Sequence, residues 1–205
     1  MDLLATAREL AAISQTGLHF TKDPYDQERY HRLGEIAAEL LAVHADVSVE
    51  TVHAWANEEF GYATPKIDVR ALIVKSDEVL LIREEADDGR WTLPGGWADV
   101  NESPSEAVVR EVEEETGYDV RPLRLLAVLD REKQGHQPPF PFHVYKLIFL
   151  CEITGGMARK TIESSESAYF AVDDLPELSQ SRVLAGQIRE LFQGIRDGSL
   201  ETRFD

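Results

Sequence analysis

Cysteine is almost absent from the sequence: Cys151 is the only one in 205 residues. A single thiol excludes an intramolecular disulfide and a zinc site built from several cysteines. It also suits a reducing compartment, so we expect a cytoplasmic protein. Cys151 lies in an apolar run, which favours a small buried side chain over a nucleophile.

Basic residues and long apolar runs are also scarce. Lys and Arg total 21 against 38 Asp and Glu, and the formal net charge is −17. A chain this acidic is poorly suited to extended contact with nucleic acid or an anionic membrane. No apolar run approaches the roughly 18 residues of a membrane span, and the N-terminus lacks the charge order of a signal peptide. We therefore expect no membrane association and no extended nucleic-acid binding.

The apolar residues, 43% of the chain, are enough for a folded core. Their spacing divides the sequence after residue 63. Residues 1–63 carry apolar stripes at helical spacing and predict a small all-α domain. The first of its three helices is expected to break at Gly17, and the second to start after the Asp23-Pro24 cap. The third is expected to run from the Ser48 cap through Phe60 to Gly61.

Residues 64–205 show short apolar runs separated by turns, which is the pattern of strands. The strands are expected at residues 69–74, 79–82, 91–93, 123–129, 143–153 and 169–172. Helical patterns at residues 104–116 and 182–196 interrupt them. Because strands and helices do not alternate strictly, the pattern predicts an α+β domain with a mixed sheet rather than a doubly wound parallel sheet.

The acidic segment at residues 104–116 has the strongest local signals. Ser103 and Glu106 form a capping box, Pro104 takes the first helical position, and Gly117 suits the left-handed stop. At about 100° per residue, valines fall on one side of this helix, which should face the core.

Three glutamates, Glu111, Glu114 and Glu115, fall on an arc beside that core face. Each close pair of carboxylates costs on the order of a few kcal/mol, and Arg110, expected to pair with Glu106, is too little compensation. A divalent cation can compensate, and oxygen ligands fit Mg²⁺ or Mn²⁺ better than zinc. A solvated acidic face is the alternative, but the preceding Gly-Gly pair, which can expose backbone groups to a ligand, favours a metal site.

The segment resembles the Nudix box. That pattern has a glycine, five residues, a glutamate, seven residues, Arg-Glu, an apolar residue, any residue, Glu-Glu, any residue, a glycine and an apolar residue. A match this long and this strictly spaced is highly specific. The matching positions are Gly96, Glu102, Arg110, Glu111, Glu114, Glu115 and Gly117, with Tyr118 where an aliphatic residue is commoner.

The resemblance implies an α/β/α sandwich with a mixed sheet, and a pyrophosphohydrolase that uses Mg²⁺ or Mn²⁺. By the same resemblance, Glu111 and Glu115 would bind the metal directly, and Glu114 would be a further ligand or a base. The carbonyl of Gly96 would be an additional ligand.

Other residues take supporting roles by resemblance. Arg110 would orient the glutamates, and Gly95 and Glu102 would fix the loop. Members of the family often recruit one more acidic residue from outside the box, and Glu166 is favoured over Glu163 because it directly precedes a strand.

The resemblance extends beyond the box, to residues 62–70, 91–100, 130–133 and 143–146. With the helical N-terminus, these segments look like the Nudix subgroup that hydrolyses nucleoside diphosphates linked to another moiety, including bacterial CDP-choline pyrophosphatases. A substrate of the CDP-choline or ADP-ribose type is implied. Arg131 and His143, near a proline-rich loop at residues 138–142, would bind phosphate, with Lys133, His136 and Lys146 as further cations of this region. Trp97 would stack on the base; an ordinary loop and ordinary packing are the alternatives.

Three other functions remain open. A non-catalytic nucleotide sensor would be expected to lack box glutamates, and none is missing here. A Nudix-fold isomerase acting on a prenyl diphosphate would have a cysteine and a glutamate together at its active site, but we expect Cys151 to lie in a core strand. An additional activity on RNA ends is the third. The apolar stripes of residues 1–63 suggest packing on the Nudix core or on a second subunit, and we predict a homodimer.

Overall fold

The computed structural model describes residues 2–45, 47–57, 61–161, 164–199 and 201–205, without the side chains of residues 164 and 165. The chain forms two compact units, one of residues 1–66 with 138–143 and one of residues 67–137 with 144–205. The boundary after residue 63 stays a prediction. None of the described helices is long and apolar enough to cross a membrane.

The first unit is built from helices α1 (Leu3–Phe20), α2 (Pro24–Ala45) and α3 (Val49–Asn57). The predicted cap of α2 is confirmed, because the Asp23 carboxylate accepts hydrogen bonds from the Tyr25 and Asp26 backbone N–H groups at 2.9 and 3.0 Å. The Ser48 hydroxyl caps α3 in the same way, accepting from the Thr51 N–H at 3.2 Å. The core of this unit consists of Leu4, Ala7, Ala38, Leu41, Ala42 and Val52, with Trp55 packed against it.

The predicted helix break at Gly17 is wrong, since α1 continues through it to Phe20. Gly17 lies against the ring of Tyr30, and a Cβ at this position would come within 2.3 Å of that ring. The glycine therefore permits close packing of α1 on α2 instead of ending the helix. The predicted course of the third helix through Phe60 lies outside the described residues.

The second unit is a mixed sheet with helices on both faces, which confirms the predicted α+β class. The strand order is β3-β2-β1-β5-β4-β7, and β6 pairs with β2; the β4–β7 pair is parallel, and β2 pairs antiparallel with β1, β3 and β6. The strands are β1 (Lys66–Lys75), β2 (Glu78–Glu84), β3 (Arg90–Thr92), β4 (Tyr118–Asp130), β5 (Val144–Gly156), β6 (Ser164–Ala171) and β7 (Arg203–Phe204). A short 3₁₀ helix spans Glu85–Asp87, and the longer helices are α4 (Pro104–Thr116) and α5 (Ala185–Arg196).

Two apolar clusters divide the core of this unit between the faces of the sheet. Val108 and Val112 of α4 pack on the face that carries Val69 and Ile73. Ile188 of α5 belongs to the cluster on the other face. The sheet therefore separates the acidic helix from α5, as the predicted layers require.

Several strands are longer than their apolar runs predicted. β4 starts at Tyr118 and pairs with β5 as far as Asp130, opposite Tyr145. Backbone hydrogen bonding continues across polar and charged positions once two strands are aligned. Apolar pattern alone therefore found the centres of these strands and missed their ends.

Candidate active site

Helix α4 begins and ends where the sequence predicts. Ser103 and Glu106 form the capping box: the Ser103 hydroxyl accepts from the Glu106 N–H, and the Glu106 carboxylate accepts from the Ser103 N–H at 2.7 Å. Gly117 ends the helix at φ 79°. The predicted Glu106–Arg110 pair is wrong, because Glu106 closes the capping box and Arg110 turns to other carboxylates.

The segment Leu93–Trp97 bends at Pro94 and then runs antiparallel alongside β1, and we call it the glycine turn. Its carbonyls accept hydrogen bonds from β1: Val69 N–H donates to Gly96 O, and Ala71 N–H donates to Pro94 O, both at 2.8 Å. Gly95 has φ 137°, and a Cβ there would lie 2.0 Å from the Val69 carbonyl oxygen. A Cβ at Gly96 would lie 2.7 Å from Glu111 Oε2. The close approach of β1 thus requires glycine at position 95, and the place of Glu111 against the turn depends on the missing side chain at position 96.

The box glutamates differ in their surroundings. Glu111 and Glu115 are buried, at 8% and 4% exposure, and Glu115 Oε2 accepts a hydrogen bond from the Gly95 N–H at 2.7 Å. The Glu114 side chain is 51% exposed. Two carboxylates are therefore fixed against the glycine turn, and the third can reach solvent.

Arg110 joins the charged groups of this region. It donates to both oxygens of Glu102, at 3.0 and 2.7 Å, and to Glu111 and Glu114 at 2.8 and 3.0 Å. A further N–H donates to the carbonyl oxygen of Trp97 at 3.1 Å. Glu102 in turn accepts from the Asp99 N–H at 2.7 Å. One planar guanidinium thus holds two box glutamates and the loop in a fixed relation.

The carboxyl pKa values diverge across this site. The hydrogen bond from Arg110 lowers the pKa of Glu102 to about 2. Burial raises the pKa of Glu111, although Arg110 acts in the opposite direction. Burial also raises the pKa of Glu115 to about 8, against the charge of Arg70 and the Gly95 N–H. Strongly shifted carboxyls beside an unusual backbone turn are typical of functional sites.

A buried ion cluster of Asp68, Arg70 and Lys146 lies behind the glycine turn. Arg70 binds Asp68 through two hydrogen bonds, at 3.0 and 2.7 Å, and Lys146 Nζ donates to Asp68 Oδ1 at 2.7 Å. Arg70 also donates to the Leu93 carbonyl oxygen at 3.1 Å. Burial alone would raise the pKa of Asp68, but both cations outweigh burial and lower the pKa to about 2.

The sequence interpretation missed Asp68 and Arg70. The available signal was two charged residues at alternate positions of a strand that is otherwise apolar, because such residues share one face. Their other partners, Lys146 and the Leu93 carbonyl, come from distant parts of the chain, so the sequence pattern alone could not find the cluster.

The donor set of the box fits a hard divalent cation. Carboxylate oxygens of Glu111, Glu114 and Glu115 are the ligands that Mg²⁺ and Mn²⁺ prefer. The Gly96 carbonyl oxygen, which accepts one hydrogen bond from Val69, retains a second lone pair. Within the described ranges, no three His, Cys, Asp or Glu side chains already converge as a bound metal would require.

Glu166, the predicted residue from outside the box, lies in β6. It pairs with Arg83 in β2. Side chains alternate along a strand, which places Glu166 on the face that carries Phe170, whereas Tyr169 packs on the face of α4. The structure does not bring Glu166 together with the box glutamates, and its catalytic role stays a prediction.

The three predicted substrate residues lie in different surroundings. Trp97 follows the glycines and is 45% exposed. Arg131 is buried and donates a hydrogen bond to Glu132 at 2.7 Å. His143 belongs to the first unit, where its carbonyl oxygen accepts from the Lys66 N–H at 2.9 Å. Their binding roles stay predictions.

His136, grouped above with the substrate cations, is buried between two chain segments. Its Nδ1 lies 3.0 Å from the Gln180 carbonyl oxygen and its Nε2 lies 3.2 Å from Gln187 Nε2, which assigns a neutral ring that donates from Nδ1 and accepts at Nε2. Burial lowers the pKa of His136 to about 4, and the charge of Lys146 acts in the same direction.

We expect this histidine to make the fold sensitive to acid. The unfolded chain takes up a proton near pH 6.5 and the folded chain near pH 4, so stability is lost as pH falls through that window. The loss from this residue reaches about 3 kcal/mol. Urea unfolding between pH 7 and pH 4 measures it, and a His136→Asn variant should show a flatter pH dependence. Equal slopes for the two proteins would contradict the assignment.

Comparison with known proteins identifies similarity over both units. Residues 1–56 match the family model described as UDP-X-like, N-terminal oligomerisation domain, and residues 64–191 match the NUDIX domain model. The chain is 43% identical over 202 residues to a Bacillus subtilis (strain 168) protein provisionally named ADP-ribose pyrophosphatase YjhB, which covers 98% of this chain and 96% of that protein. An ADP-ribose pyrophosphatase of Methanocaldococcus jannaschii is 32% identical over 123 residues, or 58% of this chain and 69% of that protein.

Solved structures that resemble this chain include proteins with similar names. A UDP-X diphosphatase crystal structure is 37% identical and superposes with a TM-score of 0.65, covering 100% of this chain and 98% of that one. An ADP-ribose pyrophosphatase from Streptococcus suis 89-1591 is 41% identical with a TM-score of 0.63, covering 69% of this chain and all of that one.

Proposed function

Because the chain belongs to the Nudix hydrolase family and is a pyrophosphohydrolase, we propose that it hydrolyses nucleoside diphosphates linked to a second group X, with a divalent metal. The substrate is of the CDP-choline or ADP-ribose type, and the products are a nucleoside monophosphate and phospho-X. The observation that carries the proposal is the pair of buried glutamates, Glu111 and Glu115, held against the glycine turn. Relatives that match nearly the whole chain are named for ADP-ribose and UDP-X substrates.

The metal is Mg²⁺ or Mn²⁺, since Nudix hydrolases generally need a divalent cation such as Mg²⁺. Glu111, Glu115 and Glu114 would hold it, with the Gly96 carbonyl as a further ligand. Bound there, a divalent cation neutralises the diphosphate and lowers the pKa of a water molecule. Arg110 donates to both Glu111 and Glu114, which keeps the two carboxylates near each other. As a ligand, the half-exposed Glu114 side chain would have to turn inward to join Glu111 and Glu115.

The chain's own residues prepare the reaction. Arg110 orients Glu111 and Glu114, and Glu102 and Gly95 fix the loop between them. A water oxygen attacks one phosphorus of the diphosphate, and the bond from that phosphorus to the bridging oxygen breaks. As the alternative to its role as a ligand, Glu114 accepts the proton of the water, because its side chain has the freest access to solvent of the three glutamates. The catalytic role of Glu166 stays a prediction, since the alternation of β6 places it on the face away from α4.

Three residues are proposed to contact the substrate. Trp97 is proposed to stack on the base because its ring is exposed beside the turn. Arg131 and His143 are proposed to bind phosphate. Arg131 donates to Glu132 through Nη1, and an arginine has five N–H donors in all, so it can bind phosphate and keep Glu132.

A substrate panel tests the proposed reaction. CDP-choline, ADP-ribose, UDP-sugars, dinucleoside polyphosphates and nucleoside triphosphates are offered with Mg²⁺ and scored by phosphate released after phosphatase coupling. We expect a nucleoside diphosphate-X to be the best substrate, EDTA to abolish turnover, and excess Mg²⁺ to restore it. Turnover that survives complete chelation, or a clear preference for triphosphates, would contradict the proposal.

We further propose that the chain works as a homodimer through its first unit, since residues 1–56 match an oligomerisation domain. An open groove of about 600 Å³ in this unit is lined in part by Ile13, Phe20, Tyr30 and Tyr62. Phe20 and Tyr62 are largely exposed, as expected of side chains that a partner covers. A monomer in sedimentation at micromolar concentration would contradict this assembly. A cytoplasmic location stays a prediction.

A further inference from the structure

The glycine turn is held from two sides. On the side of α4, the Gly95 N–H donates to Glu115, and the Trp97 carbonyl oxygen accepts from Arg110. On the side of β1, backbone N–H groups bind the carbonyls of Pro94 and Gly96, and the Arg70 side chain binds the carbonyl of Leu93. The position of the Gly95 N–H, and with it that of Glu115, therefore depends on how β1 holds the start of the turn.

Arg70 is well suited to fix that start. Its guanidinium is buried, and Asp68 holds it through two parallel hydrogen bonds, which leaves one orientation for the third donor. That donor, Nη1, reaches the Leu93 carbonyl oxygen, two residues before Gly95. Lys146 is the second cation bound to Asp68, and none of the described hydrogen bonds of Lys146 reaches the glycine turn.

We propose that Arg70 is a positioning residue for the metal site: it fixes the glycine turn so that the Gly95 N–H holds Glu115 in its ligand orientation. Arg70 touches neither substrate nor metal in this account, and acts through Leu93 and Gly95. The inference rests on the proposed function in one respect, the assignment of Glu115 as a metal ligand.

The buried cluster offers a matched pair of variants. Asp68 has two cationic partners, so Arg70→Met and Lys146→Met each remove one positive charge and leave one buried ion pair with Asp68. The pairs that remain avoid an unpartnered buried charge, which is the strongly destabilising case. Arg70→Met also removes the hydrogen bond to the glycine turn and a positive charge that acts on Glu115. Arg70→Lys, which keeps the charge but loses the planar fork, is therefore measured beside it.

Two readouts test the role without substrate: Mn²⁺ binding by electron paramagnetic resonance, and the backbone amide signal of Gly95 in a ¹⁵N–¹H spectrum. We expect Arg70→Met to weaken Mn²⁺ binding at least tenfold and to shift the Gly95 signal. Lys146→Met should lower Tm but keep Mn²⁺ binding within threefold and the Gly95 signal in place.

The proposal is overturned if both variants change Mn²⁺ binding equally, because the charge of the cluster would then explain the effect. It is also overturned if Arg70→Met leaves the Gly95 signal unchanged. Native behaviour of Arg70→Lys also overturns the proposal, because the charge of Arg70 would then explain the effect of Arg70→Met. Arg70→Lys decides the question by itself if Arg70→Met does not fold. Absence of Mn²⁺ binding by the native protein would refute the proposed function, and the Gly95 signal would still decide the role of Arg70.

Discussion

Replacing Glu115 with glutamine should reduce kcat on a confirmed nucleoside diphosphate substrate by about three orders of magnitude. Glutamine keeps the volume of the side chain, and its carbonyl oxygen can still accept the Gly95 N–H, so the turn should persist. What is lost is the negative charge that a divalent cation requires of its ligand. Steady-state kinetics with Mg²⁺, together with Mn²⁺ binding, measures the effect.

The same substitution should raise the stability of the metal-free protein. Burial raises the pKa of Glu115 to about 8, so its ionisation opposes folding progressively as pH rises from about 4.5 to about 8. A neutral amide removes that pH-dependent cost. We expect the Tm of Glu115→Gln without metal to exceed that of the native protein at pH 8, while its activity is nearly lost. A substitution that raises Tm while it abolishes activity is typical of a catalytic residue rather than of a structural one.

Two further glutamates of α4 extend the test, Glu114 as a site residue and Glu113 as the control. Glu114→Gln should also lower kcat by orders of magnitude, because Glu114 is proposed as a further ligand or as the base. Glu113→Gln, at an exposed position of the same helix, should leave kcat within about twofold, since surface changes away from the site cost little. If Glu114→Gln and Glu115→Gln both retain near-native turnover, the assignment of roles to the box is wrong.

Local signals predicted the acidic helix in full. Its capping box, its first-position proline and its glycine stop are short-range features that decide a helix regardless of the rest of the chain, and all three lie where the sequence predicted. The valines face the core and the glutamates lie beside them, because helical periodicity fixes those angles.

Non-local partners are what the sequence could not supply. Arg110 could pair with Glu106 one turn away or with Glu102 across the loop, and only the folded loop brings Glu102 within reach. The proline-rich loop gave the same difficulty: Arg8 of α1 binds the carbonyls of Phe140 and Pro141, which assigns the loop to the first unit. Contacts between residues more than 130 positions apart leave no periodic trace.

Gly95→Ala should destabilise the fold by more than about 3 kcal/mol. At φ 137° an alanine is strained, and its Cβ would lie 2.0 Å from the Val69 carbonyl oxygen, a backbone atom that cannot yield without moving β1. Gly135→Ala is the matched control, because Gly135 also has positive φ, 80°, but no atom within 4 Å of the added Cβ. Its cost should be about 1 to 2 kcal/mol, from backbone strain alone. Urea unfolding compares the two, and equal costs would contradict the close approach at Gly95.

Gly96→Ala should separate activity from stability. The backbone of Gly96 is outside the positive-φ region, and its added Cβ would meet Glu111 Oε2 and Cδ, at 2.7 and 2.9 Å, which form the end of a flexible side chain. The fold can therefore absorb the methyl group for about 1 kcal/mol by moving Glu111. Moving Glu111 displaces a proposed metal ligand, so we expect Mn²⁺ affinity and kcat to fall at least tenfold while the unfolding free energy changes little. If a folded Gly96→Ala protein binds Mn²⁺ with native affinity, metal binding does not require the position that Glu111 has against the glycine turn.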